Sequence, residues 1–574
     1  MKTNDFRATR RDVLRYAGAA SAVTLVGVPA AHAAARQESP FEPDLALELT
    51  AAPHDVALRS GPKTPAWSYR ARVLKGDPAS VQSWNGAWLG PILHLRRGQK
   101  VRIDFINKID QPSIVNWHGL HVPADMMGLP RYEVAPGKRY RYEFEVRDRA
   151  GTYWYHAMAA DHTPEQVYFG LAGLLYVSDR EEQALSLPRG EYDLPVVIQD
   201  RSFGDGNRLL YLPGTGPGAA GEGHPGAQTP TARGGMMGGG MMGRGMMGGR
   251  GMMGGGITSG GMGSMMTRMM GFFGDTVCVN GQPDARLEVA THAYRLRVLN
   301  ASNARTYKIA WQDGRPLAVI ATGGGLLDAP LQKDFVMLTP GQRVELWADF
   351  SEDAVGTEHR LISRAFQGSM GMMGSGMGGG AQGALDELMS RMMSGSSLPD
   401  GAEFPVLKVA VTHKAAGTLE LPRHLSTVAR LRPENAINRK TPRKFRVTMG
   451  HMQWGFNGRS FQMNEVASDE IVTLGTTEIW EFENNMMMAH AIHLHGLQFQ
   501  VLGWSGGTSS SDVNAGRIRQ GWQDTVLLMP NERVRLIMRF KDFAGTYAYQ
   551  CHMLEHAASG LMRDYRVKSA RALA

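Results

Sequence analysis

The stretch "YQCHMLEH" (549–556) sets one of the chain's two cysteines among imidazoles. A thiolate joined by two histidines, with a weak or absent axial ligand, is a soft donor set that suits a redox-active copper ion. Cys551 and His552 are adjacent at the end of a strand, so their side chains point to opposite faces. One piece of backbone can then serve two centres. Cys551, His556 and a distant histidine would enclose one metal, and His552 would face another. The distant histidine comes from "MAHAIHLHGLQF" (488–499), which holds His490 and then His493 and His495, two apart on one strand face. "NWHGLHVP" (116–123) and "YWYHAM" (153–158) add His118 and His156. Any one of these alone reads as an ordinary buried histidine; the joint pattern reads as a metal protein. The second cysteine, Cys278, has no histidine beside it. The two could form a disulfide, but the histidines around Cys551 favour a free thiol there.

Positioning these residues falls to runs with period-two alternation, rich in aromatic and β-branched residues. Among them are "VRIDFINKI" (101–109), "RYRYEFEVRDRAGTYWYH" (139–156), "RVELWADFS" (343–351), "EIWEFEN" (478–484) and "VRLIMRFKDFAGTYAYQCH" (534–552). They predict antiparallel strands and an all-β architecture of Greek-key sandwiches. "VAPGKRYRYEFEVRDRAGTYWYH" (134–156) and "LMPNERVRLIMRFKDFAGTYAYQCH" (528–552) are two copies of one motif, and "LTPGQRVELWADFS" (338–351) is a weaker third. The repeat predicts three related domains, at 41–180, 190–415 and 440–570. Two low-complexity inserts, 214–272 and 366–398, interrupt the middle domain. They hold 13 and 7 methionines amid dense glycine, and the second contains a short helical candidate, "ALDELMSRMM". Such glycine content cannot order a packed core, but repeated thioethers can bind Cu(I).

The first 33 residues carry the twin arginines Arg10 and Arg11, a modest apolar stretch and a small-residue cleavage site at Ala31-His32-Ala33. This predicts a twin-arginine signal peptide and a periplasmic protein. No other apolar run is long enough to span a membrane. The formal charge of +8 falls by three without the leader. No dense basic run with interleaved aromatics occurs, which argues against a nucleic-acid partner.

With these motifs placed, the chain resembles three-domain multicopper oxidases, especially bacterial copper-resistance and copper-efflux oxidases. The resemblance implies three cupredoxin-like domains, a type 1 copper in the third, and a trinuclear copper cluster between the first and third. The type 1 set would be His490, Cys551 and His556. Its axial position falls on Leu561, which cannot coordinate, with Met562 one residue on. Against the family's four histidine motifs, the first here reads Asn116-Trp117-His118-Gly119, the second His156-Ala157-Met158, and the fourth Gln550-Cys551-His552. The third is complete. One type 3 copper keeps His118, His156 and His552. The other would need positions 158, 495 and 550 and keeps only His495. Type 2 copper would need 116 and 493 and keeps only His493. The proton-donating carboxylates of the family fall on Met127 and Ala557. Nearby His121 and His162 could substitute as ligands. These departures argue against ordinary four-electron dioxygen reduction.

The resemblance then implies a copper oxidoreductase of copper homeostasis or resistance. It would take electrons from Cu(I) or another small reductant at type 1 copper, with Cys551 and His552 carrying them to one further copper. One alternative is a non-enzymatic copper-sequestration protein. Another is a nitrite-reductase-like mononuclear centre, and a third a structural relative of cell-division proteins.

Overall fold

The computed structural model describes residues 40–217, 267–367 and 398–569, apart from 418, 451 and 508–510. The leader, most of both methionine-rich inserts and the helical candidate within the second lie outside the described residues.

Among the described residues, six sheets make up three cupredoxin-like β-sandwiches. The first is built from Leu45–Val56, Thr64–Lys75, Lys100–Asn107 and Arg139–Glu145 in one sheet. Gly90–Arg96, Val115–His118, Gly151–Ala157 and Ala172–Ser178 dominate the other. The middle sandwich is centred on Asp193–Phe203, Ala293–Asn300 and Arg343–Asp349 in one sheet and Glu358–Ser363 and Phe404–His413 in the other. In the third, Arg443–Gly450, Thr477–Asn484, Glu532–Arg539 and Phe499–Gly506 form most of one sheet. The other runs in the order Ile471–Thr473, Met562–Lys568, Gly545–Cys551, His490–Leu494, Thr525–Leu528.

Alternation explains the strands locally. In Lys100–Asn107, Val101, Ile103 and Phe105 are buried and the residues between them reach outward, as a sheet with one wet face requires. The repeated motif recurs as equivalent geometry. Arg139–Glu145, Arg343–Asp349 and Glu532–Arg539 each pair antiparallel with the strand at the heart of their sheet: Lys100–Asn107, Ala293–Asn300 and Thr477–Asn484. The expectation of purely antiparallel strands needs correction. Every sheet contains one parallel pair, such as Leu45–Val56 with Lys100–Asn107 and Arg443–Gly450 with Thr477–Asn484. Greek-key crossovers bring an early strand beside a later one, and alternation within a strand carries no record of its partner's direction.

The interiors of the first and third sandwiches merge. One continuous core runs from Leu47, Trp67, Trp117 and Tyr155 to Trp454, Trp480, Tyr549 and Tyr565. The middle sandwich has its own core, braced by buried ion pairs: Glu345 holds Arg295 and Arg297, and Arg297 also holds Asp193. It meets the first sandwich at buried Thr152, whose Oγ1 donates to Glu345 at 2.7 Å and accepts from Arg297 Nη1 at 3.1 Å. Stranding one member of such a buried ionic set costs about 3–5 kcal/mol. Cys278 and Cys551 are both buried and both free thiols.

Candidate metal centres

Cross-strand partners share a face of a sheet, and this sorts the site residues. In the third sandwich Ile492 lies opposite Cys551 and His493 opposite Gln550. His490 therefore shares a face with Cys551, while His493 and Gln550 occupy the other face. In the first sandwich Asn116 pairs with His156 and His118 with Trp154, so Asn116, His118, Trp154 and His156 line one face. The strand Gly545–Cys551 ends at the cysteine. His552 follows in the turn and His556 sits on the short helix Leu554–Ala558.

On the first face, Cys551 Sγ lies 3.6 Å from His490 Nδ1 and 3.7 Å from His556 Nδ1, all three residues fully buried. Two ligand atoms at tetrahedral angles about one ion of ordinary metal–sulfur and metal–nitrogen lengths stand about 3.5 Å apart. The donor set therefore fits a single thiolate-bound ion. Trp454 packs against both imidazoles, with ring centroids 5.1 and 5.0 Å away. Burial pushes the Cys551 thiol up to about 12 and His556 down to about 4. His490 is also held well below its ordinary value by burial and by His556. Met562 pairs with Gln550, so its side chain lies on the face away from the thiol.

These shifts set a pH dependence. At neutral pH the imidazoles are already unprotonated and the thiol is not ionised, so loading a cation releases one proton, from Cys551. Apparent copper affinity at this centre is expected to rise about tenfold per pH unit between pH 6 and 8. Chelator-competition titrations across that range check it; a flat profile would mean that Cys551 does not ligate.

On the second face, His552 Nε2 and His156 Nε2 stand 3.4 Å apart, and His118 joins them in a buried group whose ligand atoms all lie within 4.8 Å of one another. Second partners set the tautomers. His156 donates Nδ1–H to the Ala157 carbonyl at 2.8 Å, and His118 donates Nε2–H to Asp524 Oδ1 at 3.1 Å. This leaves a lone pair on His156 Nε2 and on His118 Nδ1, the latter buried without a partner. Burial drives His156 down to about 3 and, with neighbouring imidazoles, holds His118 and His552 well below the usual histidine range. Three neutral, converging imidazoles fit a copper ion.

The rest of this pocket is built differently. Asn116 Nδ2 donates to the Met127 carbonyl at 3.0 Å and sits 3.3 Å from His495 Nδ1. The Gln550 amide lies near His495. Met158 is 1% exposed and offers only a thioether. Where the family pattern places ligands, two amides thus border the remaining imidazole. Met127 and Ala557 are buried there without an ionisable group. His121 and His162 do not join the cluster. His121 Nδ1 is 2.5 Å from buried Asp148, and His162 lies 3.7 Å from Glu165.

A third grouping, His118, His493 and Asp524, involves an acid that the motifs did not flag. Asp524 is buried. Desolvation would raise its carboxyl, but Arg343 and then His118 hold it well below the ordinary range. Both its oxygens are taken by Arg343, each at 2.7 Å, so it supports the histidines rather than offering an open ligand. Its only sequence trace is an Asp in "GWQDTV" (521–526), which carries no metal-site spacing.

The chain is similar to known proteins in sequence and in fold. Sequence models of the multicopper oxidases match residues 67–182 and 436–571. The chain is 27% identical over 505 residues to multicopper oxidase mco of Staphylococcus aureus, covering 87% of this chain and 86% of that one. It is also 27% identical over 535 residues to the cell division protein FtsP of Escherichia coli (strain K12), covering 93% and 92%. The crystal structure of McoA multicopper oxidase from the hyperthermophile Aquifex aeolicus superposes with a TM-score of 0.68 at 28% identity, over 92% of this chain and 97% of that one.

Proposed function

Because the chain belongs to the three-domain multicopper oxidase family, we propose that it is a periplasmic copper oxidoreductase with a second centre of reduced nuclearity. His490, Cys551 and His556 would hold a type 1 copper, with Leu561 at the non-coordinating axial position. His118, His156 and His552 would hold one further copper. Bound copper would supply one-electron redox chemistry, with electrons from Cu(I) or a small reductant crossing the Cys551–His552 bond. The chain's own part is to keep both donor sets dry, neutral and preorganised, and to join them by the shortest covalent link two adjacent residues allow. The observation that carries this reading is the pair of intact buried groups on opposite faces of one strand.

Cu(I) as electron source is supported by soft donors near the thiolate centre. Met486, Met487 and Met488 lie two to four residues before His490, and Met452, Met463 and Met487 are exposed on the same sandwich. A role in copper homeostasis or resistance follows from that reading, and export from the twin-arginine leader. Among the described residues no helix is long and apolar enough to cross a membrane.

The amides around His495 favour one second reading, a copper-sequestration protein on the same scaffold. The intact thiolate group counts against a purely structural role like that suggested by the likeness to FtsP. A copper titration with optical and paramagnetic spectroscopy tests the proposal. Two coppers per chain are expected, one giving an intense blue band and the other a second paramagnetic signal. Four coppers with a near-ultraviolet type 3 band would refute reduced nuclearity. Colourless Cu(I) alone would leave sequestration.

A further inference from the structure

Among the described residues the middle sandwich contributes no ligand to either centre, yet one of its side chains reaches the second. Arg343 opens the strand Arg343–Asp349 and is fully buried. All five of its N–H groups are used. Nε donates to the Thr152 carbonyl at 3.1 Å, Nη1 to the Gly341 carbonyl at 3.0 Å and Asp524 Oδ1 at 2.7 Å, and Nη2 to the Gly323 carbonyl at 2.8 Å and Asp524 Oδ2 at 2.7 Å. One guanidinium thereby ties the strand that carries His156, the hairpin tip of the middle sandwich and the Asp524 segment of the third. Asp524 in turn accepts from His118 through Oδ1, and its backbone carbonyl accepts Nδ1–H of His493 at 2.8 Å. His118 and His493 stack with ring centroids 3.8 Å apart.

The surrounding backbone is shaped around this contact. Gly119 follows His118 at φ +92°, and a Cβ there would come within 2.6 Å of Asp524 Oδ2 and 2.7 Å of Arg343 Nη2. A Cβ on Gly341, at φ +84°, would come within 3.0 Å of His118 Cε1 and 3.1 Å of His552 Cγ. Two glycines give the close approach that any side chain would block.

We propose that Arg343 is a positioning residue for the His118–His156–His552 group: by clamping Asp524 it fixes the His118 tautomer that leaves Nδ1 free to bind a metal. This rests on the reading that these histidines hold a copper. With Arg343 in place, the carboxylate has a fixed orientation and accepts Nε2–H of His118. Without it, a buried anion loses its counter-charge and both geometric constraints, and the His118 proton is free to move to Nδ1, which blocks the ligand atom. Lysine cannot replace the fork, since an ammonium has three donors and no fixed plane.

The test uses the full chain. Nitrogen-15 NMR of histidine-labelled, metal-free protein reads the tautomer directly, and copper titration reads affinity. For Arg343→Lys, the expected results are a His118 signal moved from Nε2–H toward a mixture with Nδ1–H and a second-copper affinity weakened about 10–100-fold, with the blue band unchanged. Should that variant fold poorly, Arg343→Gln, which keeps an amide donor but neither the charge nor the two-pronged grip on Asp524, is read in the same way, and the same shift is expected. A merely structural role would lower stability and leave the tautomer alone. Retention of Nε2–H and wild-type second-copper affinity in the folded variant overturns the proposal; it would mean that Thr525 Oγ1, 3.3 Å from His118 Nε2, suffices as acceptor. If the tautomer shifts but wild-type protein takes no second copper, the clamp stands and the copper reading of the group fails.

Discussion

Cys551→Ser protein, loaded with copper, is expected to lack the intense blue band and to lose reductant-driven turnover. The serine hydroxyl is a hard, neutral donor at the one position where the group needs a soft anion. Losing a supporting partner of a ligand typically weakens a metal site about 10–100-fold, so loss of the thiolate itself should exceed that at this centre. The fold should tolerate the change. Cys551 is buried between His490 Nδ1 and His556 Nδ1, either of which can accept from a serine hydroxyl, so the cost should stay below the roughly 1–3 kcal/mol of an unpaired buried polar group. Absorption spectra of loaded protein, with turnover of Cu(I), phenols or nitrite, decide the matter. Activity that survives the substitution would place electron acceptance elsewhere and remove the thiolate centre from the mechanism.

The second large effect is a gain. Converting Asn116, Met158 and Gln550 together to histidine is expected to raise copper content from two to four per chain and to produce a near-ultraviolet type 3 band. Strand register puts 116 beside His156 and 550 beside His493, so both new imidazoles face the pocket. The hydrogen bonds of Asn116 to Met127 and His495 would be exchanged for metal bonds. Dioxygen reduction should nonetheless stay slow, because Met127 and Ala557 still deliver no proton. Unchanged copper content in a folded triple variant would show that the pocket is closed to further ions by more than its three substitutions. Full oxidase activity would show that protons arrive by another route.

Much of this was legible before any coordinates. Local alternation marked the strands that carry His156 and Cys551. Adjacency of Cys551 and His552 implied two centres on opposite faces; the structure groups His490 and His556 with Cys551, and His118 and His156 with His552. Tertiary facts left no such local trace. Parallel pairing joins strands tens of residues apart, and Arg343 meets Asp524 across 181 positions. The choice between Leu561 and Met562 depended on register, since a single-residue slip reverses a side chain's face. The amides bordering His495 were hidden for another reason: sequence shows that a ligand is missing, not what its replacement touches.

The merged core of the first and third sandwiches has a consequence for biogenesis. His156 and His552 meet across 396 positions, and Cys551 is made only after the whole of the first and middle sandwiches. Neither pocket can exist until residues 551–556 have been made, and a product that stops before them would carry the first sandwich with part of its apolar interior laid open. Contacts this distant in order form slowly and expose sticky surface while they wait. Such a protein gains from completing its fold, and from meeting its metal, at leisure and as a finished polypeptide rather than threaded through a pore.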